Sequence, residues 1–157
     1  MQIVPLSREH PVGNFVSSHD VLTRWLRTNA LFNNERGYSR TFVGLDESGT
    51  IVGYYALSVA SIERSAWGLR EHGAPKTIPL ILLARWAVSV THQGRGFGKI
   101  LLEDALMRCL RISEDSGIRA IIVNPIDETA EAIYAHFGFP HLFVGTMYLS
   151  IEQLRRS

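Results

Sequence analysis

The sequence has a single cysteine, almost no net charge and no long apolar run. One cysteine, Cys109, excludes an intrachain disulfide and a metal site built from several cysteines. The 16 basic and 15 acidic residues leave a formal net charge of +1, so bulk charge does not indicate a nucleic-acid partner. No apolar stretch reaches the ~18–20 residues of a membrane span, and the first residues lack the pattern of a secretion signal. These absences favour a soluble, cytoplasmic protein that has neither a membrane span nor a metal cluster of the cysteine type.

The apolar content is high enough for a sizeable core. Hydrophobic residues make up 46% of the 157-residue chain. This length lies within the ~100–200 residues of one domain, so we expect a single domain over residues 1–157. Cys109 lies in an apolar helical run and is expected to be buried as a small hydrophobic residue.

Apolar spacing and turn residues predict a succession of strands and helices. Strands are predicted at Ile3–Leu6, Arg40–Leu45, Ile51–Ile62, Ile78–Val90, Ala120–Val123 and Leu142–Ile151. Helices are predicted at Asp20–Phe32, at Phe97–Ser113 and from Asp127 to a Gly138 cap, with one helical turn near Ala66–Arg70. Because a helix crosses between the strands at 78–90 and 120–123, these two strands are expected to be parallel. The order predicts a mixed α/β sheet.

Three glycines at alternate positions follow the long apolar strand and precede an amphipathic helix. A strand, a glycine loop and a helix N-terminus together favour binding of an anion such as a phosphate. The Walker pattern fails because Gly98-Lys99 is followed by Ile100, and the dinucleotide pattern fails on glycine spacing. Arg95 and Lys99 would add positive charge, although both residues are equally typical of a solvated surface. An ordinary glycine-rich turn is the alternative interpretation of the loop.

Two motifs carry a resemblance to a known family. The loop reads Gln93-x-x-Gly96-x-Gly98, and residues 132–139 read Ala-Ile-Tyr-Ala-His-Phe-Gly-Phe. Both resemble the motifs of the GNAT N-acetyltransferases, and the resemblance extends over essentially the whole chain. It implies a GNAT fold, in which helices flank a mixed central sheet with a splayed parallel strand pair. It also implies acetyl-CoA as the co-substrate and no metal.

A narrower resemblance concerns the GNAT toxins of type II toxin–antitoxin systems. It rests on Asp20–Ala30, on Ser39–Val43, on Val52–Ser58 and on Ile78–Val88. The resemblance implies an enzyme that acetylates the α-amino group of aminoacyl-tRNA and blocks translation. It further implies a ribbon-helix-helix antitoxin as partner and a homodimer.

Three positions depart from the patterns of these families. Phe15 is followed by Val16-Ser17-Ser18, where the toxins often have a cysteine. Trp86 follows the central-strand Arg85, where the toxins often have leucine. Asp127 stands seven places before the motif tyrosine, where many GNAT enzymes have an asparagine that contacts pantetheine. The departures leave the loop and the tyrosine unchanged.

The resemblance assigns roles to individual residues. The implied acetyl-CoA contacts are Ala87, Val88, Gln93, Gly94, Arg95, Gly96, Phe97, Gly98, Lys99 and Asp127. Tyr134 is the implied catalytic acid, and a tyrosine with its ordinary pKa of ~10 is protonated at neutral pH. The alternative is a core aromatic residue on the inner stripe of its helix, together with Ala130, Ile133 and Phe137.

The central strand offers no obvious general base. Residues 83–88 contain no carboxylate. A lysine ε-amine has a pKa of ~10.4, whereas an α-amine starts near ~7.7–8, so a site without a base suits an α-amino acceptor. A water relay to a distant acid is an alternative. His92 and His136 are further candidate bases, although each residue is more typical of a polar surface.

The sequence supports candidate tRNA contacts less strongly than it supports the acetyl-CoA contacts. Arg40, Arg70, Lys76 and Arg85 are the candidate phosphate contacts. Trp25 and Trp67 are candidates for stacking on a base, with a core position as the alternative for Trp25. Two other functions stay open. One is a GNAT enzyme that acetylates a small-molecule amine or a protein N-terminus, and the other is an acetyl-CoA-binding module without catalysis.

Overall fold

The computed structural model of the chain describes residues 1–69 and 71–157. Its strands are β1 Gln2–Pro5, β2 Arg40–Leu45, β3 Ile51–Glu63, β4 Thr77–Val88, β5 Ala120–Val123, β6 His141–Phe143 and β7 Thr146–Ser150. Its helices are α1 Asp20–Thr28, α2 Ala30–Arg36, α3 Arg64–Trp67, α4 Phe97–Asp115, α5 Glu128–His136 and α6 Ile151–Arg156. Two short 3-10 helices lie at Val12–Asn14 and Val90–His92. None of the described helices is long and apolar enough to cross a membrane.

The strands form one sheet in the order β1-β2-β3-β4-β5-β7-β6. Antiparallel pairing joins β1 with β2, β2 with β3, β5 with β7, and β6 with β7. β4 and β5 run parallel, and the amide of Arg119 before β5 donates to the carbonyl of Pro79 in β4 over 2.8 Å. The predicted mixed α/β sheet with a parallel pair is thereby confirmed.

Contacts within the chain define two compact units. The first unit comprises Met1–Ser58 and Leu83–Ala105. Its core is built around Tyr54, whose ring meets Phe15 edge-on at 5.5 Å and whose hydroxyl donates to the carbonyl of Leu22 over 2.8 Å. Such pairing satisfies the buried hydroxyl and fixes α1 against the sheet.

The second unit comprises Val59–Leu82 and Leu106–Ser157. Trp67 is fully buried in its core, and its ring meets Tyr148 edge-on at 5.5 Å. Arg119 donates from Nε and Nη2 to the carboxylate of Glu71, with Nη2–Oε1 at 2.6 Å. This hydrogen bonding holds the pKa of Glu71 below its ordinary value.

The prediction that the chain forms a single domain stays a prediction.

The predicted helix Asp20–Phe32 is two helices, because the helical conformation is interrupted at Asn29. At this point the Thr28 hydroxyl donates to the carbonyl of Arg24 over 2.7 Å, and Asn29 has a φ of −117°. α2 then begins at Ala30. The apolar spacing continues through the break, which is why periodicity alone did not reveal it.

The predicted last strand Leu142–Ile151 is also wrong as one element. Gly145, with a φ of 81°, makes a turn that separates β6 from β7. Ser150 then caps α6, and its hydroxyl accepts from the amide of Gln153 over 3.1 Å. The Ser-x-x-Gln pattern of a helix start was present in the sequence and was missed.

The other elements differ from prediction mainly at their ends. β2 and β5 have the predicted bounds, and α4 begins at Phe97 as predicted. Three predicted strands are shifted or resized: Ile3–Leu6 is observed as Gln2–Pro5, Ile51–Ile62 as Ile51–Glu63, and Ile78–Val90 as Thr77–Val88. Two predicted helices differ likewise: Ala66–Arg70 is observed as Arg64–Trp67, and Phe97–Ser113 as Phe97–Asp115. Cys109 is buried as predicted, with 1% of its surface exposed, and burial raises the pKa of its thiol to about 12.

Candidate active site

The glycine loop joins the end of β4 to the start of α4 within the first unit. Beyond Val88 the amide of Ser89 donates to the carbonyl of Val52 over 2.7 Å, and a short 3-10 helix follows. α4 begins at Phe97, so the loop lies directly at a helix N-terminus. The predicted order of strand, loop and helix N-terminus is confirmed.

Two different reasons require glycine in this loop. Gly94 and Gly96 have φ angles of 78° and 83°, a left-handed conformation that other residues rarely adopt. Gly98 has ordinary dihedrals, but a Cβ there would lie 3.3 Å from the Trp86 ring and 3.4 Å from the Val88 side chain. A Cβ at Gly94 or Gly96 would meet nothing within 4 Å, so the loop backbone is open to an approaching anion.

Trp86 ties the central strand to the loop. Its indole Nε1 donates to the carbonyl of Gly98 over 2.9 Å, and its ring packs on the same glycine. A leucine at this position would have no donor for such a bond. The tryptophan therefore fixes the first turn of α4 relative to β4.

Trp86→Phe should raise the KM for acetyl-CoA about 2- to 10-fold, because it removes one hydrogen bond and keeps an aromatic ring against Gly98. Steady-state kinetics at varied acetyl-CoA concentration measure the effect. An unchanged KM would mean that the loop holds its shape without this bond.

The polar side chains of residues 93–99 are exposed but differ in their contacts with the protein. The Gln93 amide donates to the Val88 carbonyl and to the Ser18 hydroxyl over long distances of 3.4 Å. Arg95 and Lys99 are exposed. Gln93 thus folds back onto the end of β4, whereas the two cations are available to a ligand.

His92 is held by its neighbours in the loop. Its Nε2 lies 3.8 Å from the Asp46 carboxylate, its Nδ1 lies 3.0 Å from the Thr91 hydroxyl, and its ring meets Phe97 edge-on at 6.0 Å. A cavity of about 400 Å³ between the β2–β3 turn and the loop is lined by Asp46, His92, Arg95 and Phe97 among others. These contacts favour a structural role for His92 over that of a base.

Ala87 and Val88 lie where β4 passes close to its neighbour. Ala87 is buried in the first core, and its carbonyl would lie 2.6 Å from a Cβ at Gly53. Val88 is half-buried and faces Gly98. Glycine at position 53 is therefore needed for the close approach of the two backbones.

Tyr134 belongs to the second unit, on the buried face of α5. Only 4% of its surface is exposed, and its ring lies 5.4 Å from that of Phe139. Burial raises the pKa of its hydroxyl above the ordinary value. The hydroxyl is therefore protonated at neutral pH, as a general acid requires.

Asp127 is the N-cap of α5. Its Oδ1 accepts from the amide of Ala130 over 2.8 Å, and this bond satisfies one of the free amides at the helix start. The family resemblance implied that Asp127 contacts the pantetheine of acetyl-CoA. The structure gives its carboxylate a capping role, and the pantetheine contact stays a prediction.

Asp127→Ala should lower the free energy of unfolding by about 1 kcal/mol, whereas Asp127→Asn should keep most of it, because asparagine caps as well as aspartate. Urea denaturation of both variants provides the measurement. Equal losses in the two variants would contradict the capping role. A KM for acetyl-CoA that rises in Asp127→Ala and not in Asp127→Asn would support the pantetheine contact as well.

The candidate RNA contacts have different surroundings. Arg40 is exposed and donates to the Asn34 carbonyl, and Lys76 is exposed on the second unit. Arg85 is half-buried. Arg70 lies outside the described residues.

The two candidate stacking residues differ in access. Trp67 is fully buried, so its proposed stacking on a base is wrong. Trp25 is half-buried and packs against the first core, which agrees with the alternative interpretation. His136 is exposed, and its ring meets Phe137 edge-on at 5.9 Å. Among the described residues no cluster of His, Cys, Asp and Glu is arranged to hold a metal ion.

Two contacts at the site were not foreseen from the sequence. They are the Trp86–Gly98 hydrogen bond and the position of the Arg85 guanidinium over the Trp25 ring, at 5.2 Å from its centroid. The tryptophan at position 86, noted above as a departure from the toxin pattern, was the one feature of the sequence that pointed to the Trp86–Gly98 hydrogen bond. The second joins residues 60 positions apart and has no local pattern.

Comparison with known proteins relates this geometry to function. The sequence matches the acetyltransferase (GNAT) domain family over residues 37–141. It is 40% identical over 135 residues to a tRNA-acetylating toxin of Mycobacterium tuberculosis, which covers 85% of this chain and 81% of that protein. The fold matches AtaT complexed with acetyl-methionyl-tRNAfMet with a TM-score of 0.88 at 22% identity, over 99% of this chain and 97% of that one. It also matches a mutant AtaT toxin bound to the C-terminus of the antitoxin AtaR and acetyl-CoA, with a TM-score of 0.85 at 22% identity, over 99% and 96% of the two chains.

Proposed function

The chain belongs to the GNAT acetyltransferase family, and we propose that it uses acetyl-CoA to acetylate the α-amino group of aminoacyl-tRNA, which blocks translation. The observation that carries the choice of acceptor is the 40% identity with a tRNA-acetylating toxin over most of both chains. A second support is the central strand, where residues 83–88 contain no carboxylate that would deprotonate a lysine-type amine.

The residues of the loop fit a pyrophosphate. In this proposal the amides of residues 94–99 donate to it, and Arg95 and Lys99 add positive charge. The left-handed Gly94 and Gly96 and the open space around them are consistent with that role. Acetyl-CoA supplies the acetyl thioester. The backbone of Ala87 and Val88 would hold the pantetheine arm beside β4, and Gln93 and Phe97 would support the loop.

Tyr134 acts as the general acid in the proposed reaction. The neutral α-amine attacks the thioester carbonyl carbon, a C–N bond forms, and the C–S bond breaks. Tyr134 donates its hydroxyl proton to the departing thiolate, and the nitrogen releases its own proton to water. Because burial keeps the pKa of Tyr134 high, its phenolate readily regains a proton at neutral pH.

The proposed function also implies protein partners for this chain. We propose a ribbon-helix-helix antitoxin and a homodimeric toxin acting in the cytoplasm. The complex of an AtaT toxin with the C-terminus of its antitoxin supports the existence of a protein partner, since the two toxins share a fold. A neighbouring gene for a small ribbon-helix-helix protein would add independent support.

An acceptor panel tests the proposed function. The purified chain is incubated with acetyl-CoA and either charged tRNA, deacylated tRNA, a polyamine, an aminoglycoside or a peptide with a free N-terminus. We expect acetyl transfer to charged tRNA alone. Transfer to an amine or peptide in preference to charged tRNA would instead support the second candidate, a small-amine or N-terminal acetyltransferase. No transfer to any acceptor would support a module without catalysis.

A further inference from the structure

Arg85 is held on the first unit by an aromatic stack. Its guanidinium carbon lies 5.2 Å from the centroid of the Trp25 ring, which is a cation–π distance. Trp25 in turn lies on the ring of Tyr54, with centroids 6.0 Å apart and an interplanar angle of 10°. The Tyr54 hydroxyl is bonded to the Leu22 carbonyl, so the base of the stack is fixed in the core. The guanidinium therefore has a defined position.

The hydrogen-bonding capacity of Arg85 is largely unused. Its Nη1 donates to the carbonyl of Ala84 over 2.9 Å. Its Nε is buried and has no partner among the described residues, and no described carboxylate pairs with the guanidinium. A guanidinium has five N–H donors, and a buried donor without a partner is costly. Arg85 thus has the properties of a preformed site for an anion.

The position of Arg85 on β4 restricts which kind of anion could bind to its guanidinium. Arg85 and Ala87 lie on the same face of the strand, ~7 Å apart along it, because alternate residues share a face and each residue rises ~3.3 Å. If the acetyl group lies beside Ala87 and Val88, as the proposed function requires, the acceptor amine must approach this region. An aminoacyl ester has no free α-carboxylate. The nearest anion of such an acceptor is the phosphate 5′ to its terminal nucleoside.

We propose that Arg85 binds this terminal phosphate of the acceptor and that Trp25 positions the guanidinium for it. The proposal rests on the proposed function and deepens it. Arginine suits a phosphate because its planar fork presents two parallel donors. The site would distinguish an aminoacylated nucleotide from a free amino acid, an amino acid ester or a simple amine.

Two acceptors that differ only in the phosphate test the proposal. They are 3′-aminoacylamido-adenosine with and without a 5′-phosphate, carrying the amino acid that the enzyme acetylates best on tRNA. The wild-type chain should prefer the phosphorylated acceptor by about 10- to 100-fold in kcat/KM, the range of a charge-assisted hydrogen bond. Arg85→Met should bring that ratio close to one. Arg85→Lys should give an intermediate ratio, because it keeps the charge and loses the fork.

Trp25 and a second arginine provide the controls. Trp25→Phe keeps a ring under the guanidinium and should keep most of the preference, whereas Trp25→Leu should reduce it through KM. Arg24→Met removes an exposed cation from the same helix and should leave the ratio as in the wild type. Thermal unfolding and acetyl-CoA binding, measured on each variant, separate loss of fold from loss of the site.

A wild-type ratio near one, or an equal ratio in Arg85→Met, would overturn the phosphate site while leaving the proposed function intact. So would an equal loss of preference in Arg24→Met. If neither adenosine acceptor nor charged tRNA is acetylated while a polyamine or peptide is, the proposed function fails and the phosphate site fails with it.

Discussion

Tyr134→Phe should lower kcat by about 10²- to 10⁴-fold and leave acetyl-CoA binding unchanged. This is the usual contribution of a positioned general acid, and the substitution removes only the proton donor. The ring remains against Phe139, so the packing of α5 should be preserved. Single-turnover measurement of CoA release gives the chemical step, and calorimetry gives the affinity for acetyl-CoA.

Tyr148→Phe is the matched control for this variant. It removes a hydroxyl from a half-buried tyrosine of the same unit, whose ring packs on Trp67. Its kcat should remain near that of the wild type. Normal turnover in Tyr134→Phe, or an equal loss in both variants, would contradict the assignment of Tyr134 as the acid.

Gly96→Ala should raise the KM for acetyl-CoA about 5- to 30-fold. Gly96 has a φ of 83°, and a Cβ in this conformation costs roughly 1–2 kcal/mol. No atom blocks the added methyl, so the cost arises from the backbone alone. In the proposed function the loop amides point at the pyrophosphate, and we expect the loop to relieve the strain by changing its dihedrals, so that this alignment is lost. Kinetics at varied acetyl-CoA measure this loss.

Gly37→Ala imposes the same strain away from the loop. Gly37 has a φ of 80°, ends α2 in the same unit, and has equally open surroundings. Gly37→Ala should lose up to about 1–2 kcal/mol of unfolding free energy without a change in the KM for acetyl-CoA, whereas Gly96→Ala should lose less stability, because its loop changes shape, and should raise the KM. A raised KM in both would mean that general destabilisation, and not the shape of the loop, governs acetyl-CoA binding.

Local pattern was sufficient to predict the loop and most of the sheet. Three glycines between an apolar strand and an amphipathic run determine a strand, a turn and a helix N-terminus without distant contacts. The structure shows that Gly94 and Gly96 are needed for their dihedrals, whereas Gly98 is needed because Trp86 packs on it. The pattern contains all three glycines but does not distinguish these reasons.

Contacts between distant segments account for what the sequence did not predict. The stack of Arg85 on Trp25 depends on α1 packing over β4, and the burial of Trp67 depends on its packing with Ile78 and Leu80. The break at Asn29 was missed for another reason, since apolar spacing continues through it.

The most direct test of the account is the position of the acetyl group on charged tRNA. Bulk tRNA charged with amino acids is incubated with the chain and acetyl-CoA, digested with nuclease and analysed by mass spectrometry. The account predicts N-acetylaminoacyl-adenosine with the acetyl group on the α-nitrogen, and no acetyl group on the same tRNA after deacylation. Acetylation of the deacylated tRNA, or unmodified aminoacyl-adenosine beside an acetylated polyamine or peptide, would contradict it.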